Sequence, residues 1–212
     1  MFVQKLNNLF KHMVCYDVLK DYRNRKAYRQ WLKKGKPDPV PHIAKQMVVK
    51  KYAAKNGIRV FIETGTYLGE MVCAVKDTFD NIYSIELSNE LCRRAKKKFV
   101  GYKHITIING DSAEVLPEIL MHEKEPCLFW LDGHYSGGNT AKGEKETPVM
   151  EELKQICDHS VKNHVILIDD ARLFTGNNDY PTIEFLRTFI EARLPYYEFD
   201  VQDDIIRIYK KL

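Results

Sequence analysis

Polar residues recur where apolar runs stop: Glu63, Glu86, Asn109 with Asp111, Asp132, and Asp169 with Asp170. Each carboxylate offers two acceptor oxygens, enough for a pair of adjacent hydroxyls or for a share of a hard cation. In Phe61-Ile62-Glu63-Thr64-Gly65-Thr66-Tyr67-Leu68-Gly69-Glu70 an acid ends the run, two glycines follow four residues apart, and a helical pattern begins. Such a turn brings backbone N–H groups close to a ligand. A nicotinamide fingerprint would place its acid about twenty residues after the glycines alone. Here Glu63 precedes the first glycine and a second acid, Glu86, closes the next apolar run. His134, two residues after Asp132, has an unperturbed pKa near neutrality and is a candidate general base; orienting a substrate is its alternative role. His12, His42, His104, His122, His159 and His164 have no comparable setting and read as structural or surface residues.

The elements that must position these groups alternate. Apolar, β-branched runs at Arg59–Glu63, Ile82–Glu86, Ile105–Asn109, Cys127–Asp132 and Val165–Asp169 read as strands. Helical patterns lie between and after them at Leu68–Phe79, Asn89–Val100, Ser112–His122, Val149–Asp158 and Thr182–Arg193. Thr147 reads as a helix cap with Pro148 at the first helical position, and Glu151 and Glu152 suit the positive end of that helix. Two last runs, Tyr196–Val201 and Ile205–Tyr209, are joined so briefly that they must form a hairpin. The expectation is an α/β chain: a Rossmann-like three-layer sandwich with a mostly parallel, seven-stranded sheet ending in an antiparallel hairpin. Ligands of such sheets bind beyond the carboxyl ends of the strands, where the polar residues above would gather. Gly133 to Thr147, GHYSGGNTAKGEKET, is long for a βα turn and reads as a cover over a site or as a surface insertion.

Ahead of this body lies a basic stretch. Residues 1–56 hold 14 Lys/Arg against 3 Asp/Glu, whereas residues 57–212 hold 19 against 26. Phe2, Leu6, Leu9 and Met13 give an amphipathic helix to about residue 20, and DYRNRKAYRQWLKKGK continues it. Pro37-Asp38-Pro39-Val40-Pro41 is the linker, so that residues 1–41 form a helical extension and residues 42–212 the Rossmann-like domain. The next helix is expected from His42 to Asn56, with Ile43, Met47 and Ala54 on one side and Gly57 as its stop. The aromatic faces of the extension suit packing on the body or a second copy, attachment to an anionic membrane surface or, least of all, nucleic acid. Five scattered cysteines fit neither a disulfide framework nor a zinc site. Neither a signal peptide nor a membrane span is legible, which points to a cytoplasmic chain, peripheral to the inner face of the membrane where the arm docks.

From about residue 57 to 212 the sequence resembles class I S-adenosylmethionine-dependent methyltransferases. Glu63, Gly65, Tyr67 and Gly69 are similar to that family's first motif in its catechol O-methyltransferase form. The resemblance implies that Gly65, Thr66, Tyr67 and Gly69 face the methionine part of the cofactor, with Glu63 near its amino group. It further implies that Glu86 binds the ribose hydroxyls, that Asp111 or Ser112 reaches the adenine, and that Asp132 lies beside both cofactor and acceptor. Leu131-Asp132-Gly133-His134-Tyr135 and Leu167-Ile168-Asp169-Asp170 resemble the metal segments of catechol and macrolide-sugar O-methyltransferases, so Mg²⁺ is implied on Asp132, Asp169 and Asp170. Catechol-type enzymes carry a lysine where a base is needed, and this chain departs from them in offering His134. The implied activity is methylation of a hydroxyl on a sugar or other small-molecule acceptor. N-methylation or metal-dependent hydroxylation on the same scaffold, and a noncatalytic binding module, are the competing readings.

Overall fold

The computed structural model describes residues 22–133 and 147–211. The expected first amphipathic helix, His134 and most of the glycine-rich segment lie outside them. The chain divides into two compact units, Met1–Met47 and Val48–Leu212.

In the first unit a helix, α1, occupies residues 22–33. The proline stretch that follows carries no helix, and it folds back: Trp31 is buried with Val40 and Ala44, and its indole N–H donates to the Pro37 carbonyl at 2.9 Å. Arg23, Arg25, Lys26, Arg29, Lys33 and Lys34 are exposed. Helix α2, His42–Asn56, begins in this unit and ends in the next, where Gly57 adopts the left-handed φ of +64° that stops it. Its buried face in the second unit is Val49, Tyr52 and Ala53; Met47 and Ala54 are exposed, contrary to the sequence expectation. Apolar residues lie all round this helix, so its pattern does not choose a face, and contact of Tyr52 with Tyr209 at 5.1 Å helps to choose it.

The second unit is the alternating body. Strands β1 (Val60–Thr64), β2 (Asn81–Glu86), β3 (Ile105–Asn109), β4 (Cys127–Leu131), β5 (Val165–Ile168), β6 (Tyr197–Gln202) and β7 (Ile205–Lys210) form one sheet in the order β3-β2-β1-β4-β5-β7-β6. The first five are parallel, and β7 runs antiparallel between β5 and β6. Helices α3 (Glu70–Val75), α4 (Asn89–Phe99), α5 (Ser112–His122), α6 (Val149–Asp158) and α7 (Ile183–Arg193) connect them. This is the Rossmann-like architecture that the alternation implies.

Every residue of β1, β4 and β5 is buried, as central parallel strands covered on both faces require. Alternate side chains feed two cores: Val60 and Ile62 join α5, α6 and α7, while Phe61 joins α2, α3 and α4. At roughly 1.5–3 kcal/mol for each large apolar side chain buried, these two layers dominate the stability of the body.

Two helix starts differ from expectation, that of α3 and, by one residue, that of α7 at Ile183, and the cap of α6 differs too. Helix α3 begins at Glu70, two residues late, because Gly69 is left-handed at φ +64° and serves as its cap. Helix α6 starts at Val149 with Pro148 as cap, while the Thr147 hydroxyl accepts the Val149 N–H at 3.3 Å. Among the described residues no helix is long and apolar enough to cross a membrane.

Candidate active site

The chain leaves β1 for β2 and β3 on one side, then returns to place β4 on the other, so the carboxyl ends of β1 and β4 make a topological switch point. The turn after β1 is fixed there by its backbone. The N–H groups of Gly65 and Thr66 both donate to the Ile85 carbonyl of β2, at 2.9 and 3.2 Å. Gly65 has φ +89°, and a Cβ on it would stand 2.4 Å from the Asp132 carbonyl oxygen. Only glycine lets the two loops approach this closely. The backbone of Asp132 thus lies against the Gly65 turn.

Glu86 closes β2 and organises the far end of the turn. Its Oε2 accepts the Tyr67 N–H at 2.7 Å and its Oε1 accepts the Ser88 N–H at 2.9 Å. Each oxygen keeps acceptor capacity for one further donor. Tyr67 itself is half exposed and left-handed at φ +47°. The Lys98 ammonium donates to the carbonyls of Leu68 and Gly69 at 2.8 and 3.1 Å and so ties α4 to the turn. Phe99 packs so near Gly69 that a Cβ there would meet its ring at 2.8 Å.

Glu63 lies under the turn, 1% exposed. Its Oε2 accepts the Ser84 hydroxyl at 2.5 Å, and Ser84 also hydrogen-bonds the Thr66 hydroxyl at 2.6 Å. Burial pushes the Glu63 carboxyl up to about 8, partly offset by Ser84 and Lys98 and reinforced by Glu86. Such an acid is held proton-ready, and a ligand cation beside it would favour its charged form. Asn109 ends β3 by donating to the carbonyls of Glu86 and Leu87, and Asp111 caps α5 by accepting the Ala113 N–H at 2.9 Å, with Ser112 buried at the helix start. These groups line the carboxyl ends of β1, β2 and β3.

Across the switch point the picture differs. Asp169, 4% exposed, accepts the Asp170 N–H on its Oδ1 at 2.9 Å, and its own N–H joins the Leu131 carbonyl at the end of β4. Asp170 is left-handed at φ +54° and accepts Arg172 on Oδ1 at 2.9 Å. Arg172 also pairs with Asp204, whose Oδ1 accepts the Arg172 backbone N–H at 2.8 Å, so a 3₁₀ turn at Ala171–Leu173 is pinned to the β6–β7 turn. Among the described residues no group of three or more His, Cys, Asp or Glu is arranged to hold a metal. With Asp170 engaged by a guanidinium, Asp132, Asp169 and Asp170 do not fit the three-carboxylate centre expected for Mg²⁺.

A cleft here is lined by Gly133, Thr147, Glu152, Asp169, Phe174 and Tyr180 over an apolar base. The Phe174 and Tyr180 rings meet edge to face at 5.2 Å. Glu152, on α6 and 1% exposed, has its pKa pushed up to about 7 by burial, with Ser112 and Thr64 pulling it back. Sequence reasoning gave Glu152 only a helix-end role and passed over Ser84 and Lys98. The signals existed: Glu152 falls in the apolar stripe of Val149, Leu153 and Ile156, and Ser84 interrupts an apolar strand.

No family model matches the sequence, and no curated protein is similar to it in sequence. Solved structures are similar in fold. The O-methyltransferase TomG of Streptomyces achromogenes, involved in tomaymycin synthesis and solved with S-adenosylmethionine (SAM), superposes with a TM-score of 0.58 at 14% identity, covering 89% of each chain. An O-methyltransferase of Bacillus cereus with S-adenosylhomocysteine (SAH) gives 0.59 at 14% identity over 88% of this chain and 90% of that one. The SAH-bound methyltransferase PaMTH1 of Podospora anserina gives 0.57 at 17% identity over 93% and 96%. The chain has the fold of SAM-dependent O-methyltransferases.

Proposed function

We propose that the protein is a SAM-dependent methyltransferase that acts on a hydroxyl of a small-molecule or sugar acceptor. The observation that carries this reading is Glu86: a carboxylate at the end of β2 whose two oxygens are each held by a backbone N–H of a neighbouring loop, with acceptor capacity left on both. A ribose presents two adjacent donors to such a group. The turn at Gly65, Thr66, Tyr67 and Gly69 takes the methionine part of the cofactor, Glu63 faces its ammonium, and Asp111 and Ser112 stand at the adenine end. Bound SAM supplies an electrophilic methyl on a sulfonium. The chain's part is to hold the acceptor oxygen in line and to receive its proton. Asp132, against the Gly65 turn, orients the acceptor, and His134, two residues further on, is assigned the proton.

The reading needs no metal: Asp170 carries the Arg172 guanidinium, and proton transfer rests on the chain's own groups. As partners, the exposed cations of α1 suit an anionic membrane surface, with a second copy of the chain as the competing occupant. That surface would place the protein in the cytoplasm, at the inner face of the membrane.

Calorimetric titration with SAH tests the cofactor assignment. The wild type binds, and Glu86→Ala weakens binding at least about 150-fold, since two charge-assisted hydrogen bonds of roughly 1.5–3 kcal/mol each are removed. A wild type that does not bind SAH overturns the reading. Methyl transfer that persists in EDTA agrees with a site free of metal; transfer lost in EDTA with SAH affinity intact would restore the Mg²⁺ expectation.

A further inference from the structure

The cleft across the switch point holds a carboxyl that the cofactor reading leaves unused. Glu152 lies on the face of α6 turned to the core, among Val149, Leu153 and Ile156. Its Oε1 is buried and has no hydrogen-bond partner among the described residues. That oxygen lies 3.6 Å from where a Cβ on Gly133 would stand, and the same Cβ would stand 3.2 Å from the Thr64 hydroxyl. Glu152 Oε1 therefore lies directly beneath the bare backbone of Gly133, between the ends of β1 and β4. The cleft around it is apolar at Leu131, Ile168 and Phe174.

A buried carboxyl oxygen left unsatisfied in an apolar wall costs stability, and native structures retain such groups chiefly where something else completes them. Above about pH 7, where Glu152 is ionised, the missing partner must be a donor, because an ether or carbonyl oxygen would only set one acceptor against another. The acceptor of a methyl group brings such a donor, since its hydroxyl carries a proton until transfer. We propose that Glu152 is a specificity-determining residue of the acceptor site: its Oε1 accepts a hydrogen bond from a hydroxyl of the bound acceptor and discriminates against the O-methylated form of the same molecule. The assignment rests on the methyltransferase reading. It adds that the site recognises its acceptor from beneath, through α6, and not only from the loops above the sheet. Discrimination of this kind is large, because a site built to accept a hydrogen bond rejects a molecule that leaves it unpaired. It also makes product release favourable, since the methylated oxygen no longer satisfies Glu152.

The test uses the full-length protein saturated with SAH and two probe pairs: catechol with 1,2-dimethoxybenzene, and methyl α-D-glucopyranoside with its permethylated ether. For at least one pair the hydroxyl probe binds the wild type at least tenfold more tightly than its ether. Glu152→Leu abolishes that preference, and Glu152→Gln, which keeps a neutral acceptor oxygen, retains part of it. SAH affinity stays within about threefold in both variants, which reports an intact fold. If the leucine variant does not fold, the glutamine variant is read alone, with the preference falling at least threefold. A preference unchanged by substitution, or no hydroxyl probe bound by a wild type that binds SAH, overturns the role of Glu152. Absence of SAH binding in the wild type overturns the methyltransferase reading itself, so the two failures are distinct.

Discussion

At Gly65 the missing side chain is the functional group. Alanine there would put its Cβ 2.4 Å from the Asp132 carbonyl and would hold a φ of +89° that L residues avoid. Gly65→Ala should therefore lower stability by about 1–3 kcal/mol in urea unfolding and weaken SAH binding in the same samples, because the loops after β1 and β4 must separate. Unchanged unfolding and affinity would show that the approach of these loops is not tight. The sequence made this glycine legible through its place after an apolar run and an acid. It made Glu63 and Glu86 legible for the same reason, since an acid that ends a buried strand has few structural uses. Glu152 was less legible, because an acid in the first turn of a helix also favours the helix dipole, and that ordinary reason hides its burial. At the residues expected to hold a metal, the pairing of Asp170 with Arg172, two residues on, is not something strand periodicity predicts.

Among the elements, strands were read more closely than helices. Their burial on both faces leaves continuous β-branched runs, so β3 has its expected bounds and the other strands differ by no more than one residue at either end. The start of α3 moved where glycine decides it, at Gly69, the cap of α6 fell on Pro148 rather than Thr147, and the face of α2 could not be read from a helix with apolar residues on every side. Element α1 carries its own prediction. Its Trp31 is consumed by packing on Val40 and Ala44, which leaves mainly cations on the outside, with Tyr22 among them. Docking on lipid would then be electrostatic, at about 1 kcal/mol for each Lys or Arg near an anionic surface. Vesicles rich in phosphatidylserine should pellet the protein at low salt, and 0.5 M salt or deletion of residues 1–36 should abolish pelleting. If the intact chain does not pellet at low salt, the membrane reading of the arm fails, and a mass that falls to the monomer on deletion would assign the arm to a second copy.

The molecule as a whole carries a pH dependence beneath its sheet, at the end opposite the candidate site. His164 is buried; its Nδ1 accepts the Cys127 N–H at 2.9 Å, and its Nε2 meets His159 Nδ1 at 3.0 Å, with the rings stacked. Burial, with His159 and Lys162 adding to it, pushes the His164 pKa down to about 4. The folded chain therefore resists a proton that the unfolded chain takes up below about pH 6.5, so this contribution to stability falls with pH through that window. Glu63 and Glu152, raised by burial, act in the opposite sense and would mask the effect in the wild type alone. Comparison with His164→Phe removes them: the variant's deficit in urea stability should shrink by about 2 kcal/mol between pH 7 and pH 5. A deficit constant across that range would show that His164 takes its proton equally in both states. The alternation of runs made this architecture legible, including the hairpin, whose linker is too short for a crossover.

The hairpin also orders the events of synthesis. Strand β5 is wholly buried in the finished sheet, yet the neighbour that closes its open edge is β7, the strand made last. While α7 and β6 emerge, Val165–Ile168 presents an apolar edge with unpaired backbone groups, the kind of edge that recruits strands from other chains. The growing polypeptide thus passes through an interval of exposure that ends only when Ile205–Lys210 slots between β5 and β6, and in that interval its fate depends on chaperones and concentration rather than on the stability of the native state.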